Sequence, residues 1–180
     1  MINGNTLFVI DMQKDFVDGS LGSKEAEAIV DNVVKKINEY KDINANIYVT
    51  LDTHYDNYLE THEGKNLPVK HCIKGTDGWK LNDKVRKALD SYPNVTYIEK
   101  DTFGYDGWKD EFNENNPVDI PVEFVGLCTD ICVISNILVF KASYKNTDIF
   151  VDANCCAGVT PEAHEAALKV LESCQVKVIK

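Results

Sequence analysis

Phe124-Val-Gly-Leu-Cys-Thr-Asp-Ile-Cys-Val133 carries an apolar run through a tight turn into a helical pattern that continues towards Tyr144. A buried strand feeding straight into a helix is half of a βαβ unit. The rest of the chain repeats that alternation. Thr6–Ile10, Asn46–Leu51, Val95–Ile98, Val122–Leu127, Asp148–Val151 and Val176–Ile179 are short, largely apolar runs, as expected of parallel strands covered on both faces. Between them, Ala26, Ile29, Val30, Val33, Val34, Ile37 and Tyr40 recur at helical spacing, with Lys35, Lys36 and Glu39 off that face. A further helix is expected from about Asn82 to Ser91. The last has Thr160 as N-cap and Pro161 at its first position, and reaches about Cys174. The expected fold is α/β: a parallel sheet of about six strands with helices on both faces, in one domain over residues 1–180.

With 180 residues, 44% hydrophobic and 27% charged, the composition is that of an ordinary globular protein. The net charge of −10 comes without any cluster of Lys and Arg, which argues against nucleic acid or an anionic membrane as partner. No run is long enough to span a bilayer, and Met1–Thr6 lacks the basic and apolar start of an export signal, so the expected location is cytoplasmic. There the six cysteines, at 72, 128, 132, 155, 156 and 174, are expected to be reduced; none forms a CxxC pair.

Chemistry collects just after the ends of four successive strands: Asp11, then Asp52 and His54, then Lys100, then the Cys128–Cys132 segment. Open parallel sheets bind ligands beyond the carboxyl ends of their strands. Most cysteines are small core residues, and Cys72, Cys155, Cys156 and Cys174 are read that way. Cys132 is different. Thr129 or Asp130 can cap its helix, and a first-turn position favours a thiolate. Asp11 is the carboxylate available to take the thiol proton, and Lys100 the amine beside them. The stretch Thr53–Lys80 is long for a loop and holds three of the four histidines. Asp52 and His54, with Glu63 and His71, make a ligand set suited to Zn²⁺, Fe²⁺ or Mn²⁺; His62 and Asp56 compete for the third and fourth positions.

Asp11-Met-Gln-Lys-Asp-Phe16, Asp52-x-His54, His71-Cys72, Lys100-x-x-Phe103 and Gly126-Leu-Cys-Thr-Asp-Ile-Cys-Val133 together resemble the isochorismatase-like cysteine hydrolases, most closely the nicotinamidases. The motifs come in that family's order and run from Leu7 to about Val159. The resemblance implies a catalytic Asp11–Lys100–Cys132 triad and an oxyanion hole from the backbone N–H groups of Cys128 and Cys132, helped by a cis peptide between Leu127 and Cys128. It implies one divalent ion, Zn²⁺ first, on Asp52, His54, Glu63 and His71, with Phe16 and Leu127 at the substrate. The implied partner is a small-molecule amide, nicotinamide, and the implied assembly a homo-oligomer. Isochorismatases themselves lack the nucleophilic cysteine, so Cys132 argues against their vinyl-ether hydrolysis.

Two departures matter. Asn66-Leu-Pro-Val-Lys-His71 lacks the tryptophan that many nicotinamidases carry before the second ligand histidine, leaving Leu67, Trp79 or Tyr105 to wall the ring. Glu60 stands where many have another histidine ligand. The alternatives to a nicotinamidase are a carbamoyl or ureido amidohydrolase of the same family, a flavodoxin-like phosphate binder and a non-catalytic metal scaffold. Asp-Met-Gln-Lys after the first strand is no Gly-rich phosphate loop and disfavours the second of these.

Overall fold

In β1 (Thr6–Ile10) every residue is buried, with Leu7 and Val9 packing into one core cluster and Phe8 and Ile10 into another. That two-sided burial is what a central parallel strand requires. The computed structural model describes residues 4–112 and 121–180. After β1 come α1 (Lys14–Val17), α2 (Lys24–Asp42), β2 (Asn46–Asp52), a 3₁₀ turn (Tyr58–Glu60) and α3 (His62–Asn66). There follow α4 (Asp83–Leu89), β3 (Val95–Lys100), α5 (Trp108–Glu111) and β4 (Val122–Leu127). A π-helical turn (Thr129–Val133) leads into α6 (Ile134–Ser143), and β5 (Ile149–Ala157), α7 (Pro161–Ser173) and β6 (Lys177–Ile179) complete the order.

The six strands form one parallel sheet in the order β3-β2-β1-β4-β5-β6. The chain winds outward from β1 to β3, then crosses back to lay β4 on the other side of β1. Neighbouring connections therefore leave β1 and β4 in opposite directions, which opens a crevice at their carboxyl ends. Residues of α1, α2 and α4 pack with Leu7, Val9, Val49 and Val125 on one face. On the other, Phe8 stacks on Phe124 at 4.5 Å and meets Trp108 edge-on at 5.0 Å, beside Phe140 of α6 and Leu168 of α7. Gly126 allows the central pair to close: at φ 121° it lies against Ile10, whose carbonyl oxygen would be 2.1 Å from any added Cβ. No helix among the described residues is long and apolar enough to cross a membrane.

The expected strands and helices are present, with three instructive differences. β5 continues past Val151 to Ala157, through a register shift against β4 between Phe124 and Gly126. Its polar residues hid the extension, since Asp152 is turned inward to a buried cation. That cation is Lys36, placed on the solvent side by helical periodicity but only 5% exposed. Its Nζ lies 2.7 Å from Glu123 Oε1 and 2.8 Å from Asp152 Oδ2, while Tyr40 donates to Glu123 Oε2 at 2.6 Å. Burial works against the Lys36 charge, but these two carboxylates outweigh it and raise its pKa. Thirdly, neither expected cap serves the helix after β4. The Thr129 hydroxyl is paired with His164 Nδ1, and Asp130 Oδ1 accepts from Val159 N–H. Thr160, by contrast, caps α7 through Ala163 N–H as expected.

Removing one partner of a buried, hydrogen-bonded ion cluster leaves uncompensated charge and typically costs about 3–5 kcal/mol. Lys36→Met is accordingly expected to lower unfolding stability by about 3 kcal/mol in urea titrations, against less than about 1 kcal/mol for Lys35→Met.

Candidate active site

Asp11 leaves β1 in the left-handed region, at φ 47°, a conformation that costs a non-glycine residue on the order of 1 kcal/mol. Thr50 of β2 holds it there. The Asp11 N–H donates to Thr50 Oγ1 at 3.2 Å, and the Thr50 hydroxyl donates back to Asp11 Oδ1 at 2.7 Å. Oδ2 is thereby left for Lys100, whose Nζ stands 2.6 Å away. Lys100 closes β3 opposite Asp52 and reaches Asp52 Oδ1 at 3.5 Å as well. Burial is the largest influence on each of these groups. It keeps the Asp11 carboxyl above its ordinary value, with Lys100 opposing. It would neutralise Lys100, but Asp11, Cys132 and Asp52 together raise the ammonium's pKa instead.

Cys132 lies in the π-helical turn, 5% exposed. The expectation of a favoured thiolate there needs correction. Burial pushes the thiol well above its ordinary value, Asp11 and Asp52 reinforcing and Lys100 opposing. The resting site therefore favours the protonated thiol. The Leu127–Cys128 peptide is cis, as the resemblance implied. Ile131 and Val133 N–H both donate to the Cys128 carbonyl, bonds that leave out the amides of Cys128 and Cys132. Asn136, fully buried, donates to the Cys132 carbonyl at 2.8 Å and to the Phe103 carbonyl at 3.0 Å. It ties the segment after β3 to the turn after β4.

A metal-compatible group of buried Asp52, His54 and His71 adjoins this cluster. His54 Nε2 is 3.0 Å from Asp52 Oδ2 and 3.5 Å from Glu63 Oε1; His71 Nε2 is 3.5 and 3.6 Å from the same two oxygens. Two ring nitrogens and two carboxylate oxygens thus converge. His71 Nδ1 lies 2.8 Å from the Val69 carbonyl; donation of its N–H there leaves the Nε2 lone pair facing the group. His54 Nε2 is buried with no aligned hydrogen-bond partner. Burial disfavours its protonation, yet Asp52 and Glu63 together lift its pKa to about 9. The same imidazoles and Lys100 outweigh burial at Asp52 and hold its carboxyl below the ordinary range. These residues fit a divalent cation. The rivals do not approach: His62 and Asp56 are exposed, and so is Glu60.

Several supporting residues gave no signal by themselves. Gln13 accepts from Asp52 N–H at 2.7 Å and donates to the Asp52 and Trp79 carbonyls, both at 2.8 Å, clamping β1 to the Asp52 strand end. Tyr58 backs both imidazoles, its ring centroid 4.7 Å from His54 and 5.0 Å from His71. Gln13 lies inside a motif that could have flagged it. Tyr58 lies in the long loop with no periodicity to single it out.

Cys132, Cys128, Asp52, Glu63 and His71 all line one cavity of about 400 Å³. Its apolar walls are Phe16, Leu21, Leu67, Phe103, Ile131 and Val159. Phe16 lies 5.4 Å from the His71 ring. Leu127, expected at the substrate, does not line the cavity. Its side chain is fully buried in the core, because strand alternation directs it to the face covered by α2. Of the three candidates for the missing wall only Leu67 lines the cavity. Trp79 turns its Nε1 to Thr53, and Tyr105 packs edge-on against Trp108 at 4.9 Å. Phe103 and Ile131 complete the wall.

Comparison with known proteins agrees with this geometry. The isochorismatase domain profile matches residues 5–180. A nicotinamidase/pyrazinamidase of Bacillus subtilis superposes with a TM-score of 0.83 at 25% identity, covering 97% of this chain and 98% of its own. A pyrazinamidase of Pyrococcus horikoshii, solved in complex with zinc, does so with a TM-score of 0.79 at 26% identity, covering 97% and 98%. An N-carbamoylsarcosine amidase of Thermoplasma acidophilum shares the fold, with a TM-score of 0.77 at 22% identity over 97% and 95%. No curated protein sequence matches significantly. With nearly its whole length matched by the domain profile and a sheet edge built as described, the chain belongs to the isochorismatase family of hydrolases.

Proposed function

We propose that this protein is a metal-assisted cysteine amidohydrolase that converts nicotinamide to nicotinic acid and ammonia. The observation that carries the reading is the shared cavity: Cys132 opens onto the same apolar space as Asp52 and His71 of the metal-compatible group and the neighbouring Glu63. A pyridine carboxamide has a ring nitrogen for one end, an amide carbon for the other and an apolar ring between. The likeness to nicotinamidases, one with zinc, supports it.

Asp52, His54, Glu63 and His71 would hold the ion, Zn²⁺ first with Fe²⁺ or Mn²⁺ as alternatives. When bound, the ion supplies a Lewis-acid contact that orients and polarises the ring. The chain's own residues do the rest. As the Cys132 sulfur attacks the amide carbon, its proton passes to Asp11 Oδ2 and the carbonyl electrons move onto oxygen. The amides of Cys128 and Cys132 receive that oxyanion. Asp11 then gives its proton to the amide nitrogen, the C–N bond breaks, ammonia departs and a thioester remains. Water loses a proton to Asp11 as its oxygen attacks the thioester. The C–S bond breaks, the acid leaves, and the proton returns to sulfur. Lys100 stays charged throughout and stabilises ionised Asp11. A raised thiol pKa suits this order, because the proton moves only as the carbonyl is attacked.

Cys132→Ala is expected to keep the fold and abolish ammonia release. Wild-type turnover by the alanine variant would remove the nucleophile assignment. For the ion, elemental analysis of protein purified without added metal should find about one ion per chain. Glu63→Ala should lower that occupancy, and the gain in melting temperature on adding Zn²⁺, more than His62→Ala. Benzamide keeps the substrate's shape without its ring nitrogen. It should lose about ten- to a thousand-fold in kcat/KM against nicotinamide, the range for an unpaired polar contact in a specific site. Equal cleavage of the two, or cleavage of a ureido compound alone, would shift the function to the carbamoyl or ureido alternative.

A further inference from the structure

The turn that carries Cys128 and Cys132 is held from outside the catalytic cluster. Thr129, which follows Cys128 and opens the π-helical turn that carries Cys132, is fully buried, and its Oγ1 lies 2.7 Å from His164 Nδ1 of α7. One residue on, Asp130 Oδ1 accepts from Val159 N–H at 3.0 Å. Gly158 fits between these contacts. A Cβ there would come within 2.8 Å of both Asp130 Oδ1 and the His164 nitrogen, so α7 and the turn meet as closely as backbone permits. Ile131 and Val159, on either side of this joint, line the substrate cavity.

We propose that His164 is a positioning residue for the reaction: its neutral imidazole accepts the Thr129 hydroxyl proton at Nδ1, fixes the Cys128–Cys132 turn, and releases it when protonated. The inference rests on the reading of that turn as nucleophile and oxyanion site. The direction of the bond follows from burial. A hydroxyl brings one donor, an unpaired buried donor is costly, and Nδ1 is the side-chain partner at hydrogen-bond distance. A protonated ring has no lone pair to offer and would confront the hydroxyl with a second donor. The charged groups that face His164 are Asp130 on the turn, Glu165 on α7 and Lys180 beyond β6, the last 3.8 Å from Glu165. Burial outweighs the two carboxylates and keeps the His164 pKa below its ordinary value, so the holding form prevails at neutral pH.

The test uses His164→Ala, His164→Asn and Thr129→Val in the full chain. Asparagine can present Oδ1 near the place of Nδ1 and does not titrate. At about pH 8, His164→Ala and Thr129→Val are expected to lower kcat on nicotinamide about tenfold with KM within about twofold, the scale of one lost hydrogen bond. The double variant should be no worse than either single one, since one bond is lost in all three. Alkylation of Cys132 by iodoacetamide, which needs no substrate, should quicken severalfold in both single variants as the turn loosens. His164→Asn should restore both readings. As pH falls from about 8 to about 5, its activity relative to wild type should rise several-fold, because only the wild type loses the bond. An alanine variant matching wild type in turnover and alkylation, additive losses in the double variant, or an Asn-to-wild-type ratio independent of pH would each overturn the proposal. Failure of the underlying reading looks different: Cys132→Ala would retain turnover whatever residue stood at 164.

Discussion

One buried ammonium organises this sheet edge. Lys100 Nζ touches Asp11 at 2.6 Å and Asp52 at 3.5 Å, so a single cation faces carboxylates from two neighbouring strand ends. A buried lysine without such partners would lose its proton. A buried aspartate without the lysine would hold one permanently. With Asp11 ionised, Asp11, Asp52 and Glu63 set three negative charges against that one positive charge. On the proposed reading a divalent ion would balance the two left over, with the imidazoles, neutral once they ligate it, as donors beside it. Lys100 thereby couples Asp11 to the Asp52–His54–His71 group.

The topology makes that coupling available. Because the chain reverses its winding between β3 and β4, the ends of β1 and β4 lie side by side with their connections splayed apart. Asp11 comes from one and the Cys128–Cys132 turn from the other, while β2 and β3 bring Asp52 and Lys100 in register beside them. Four strand ends are enough to place Asp11, Asp52, Lys100 and the Cys128–Cys132 turn on rigid elements. The long segment after β2 adds what lies off the sheet: His54, Glu63, His71, the tyrosine behind the imidazoles and the Leu67 wall.

That division explains what could be read from the sequence. Asp11, Lys100 and Cys132 were legible because a strand end is a local pattern, and position after a strand fixes position in an α/β sheet. Leu127 was misplaced because the resemblance placed it by its motif, whereas its side chain obeys strand alternation. Lys36 was misjudged for the opposite reason. Helical periodicity puts it off the apolar face, and only the tertiary fold brings Glu123 and Asp152 to meet it. Thr50, Asn136 and His164 act through partners 39, 31 to 33 and 35 positions away. No window of sequence shows such bonds. Phe103 stood in a quoted motif, but its place in the cavity wall depends on Asn136 holding the segment after β3.

The site also concentrates buried charge. Among the described residues, the buried side-chain polar atoms without an aligned hydrogen-bond partner are Asp11 Oδ2, Lys100 Nζ and His54 Nε2. All three lie at this sheet edge and are held by ion pairs instead: Lys100 Nζ is 2.6 Å from Asp11 Oδ2, and His54 Nε2 is 3.0 Å from Asp52 Oδ2. Elsewhere comparable groups are matched: Glu123 takes Lys36 and Tyr40, and Asn136 makes bonds at both ends of its amide. The contrast is therefore local and not a sign of loose construction. Charged groups fixed in a buried, rigid setting can stabilise charge developing on a bound molecule, since they need no reorganisation when it forms. The two packed aromatic and aliphatic layers hold these groups in place at the ends of the most deeply buried strands.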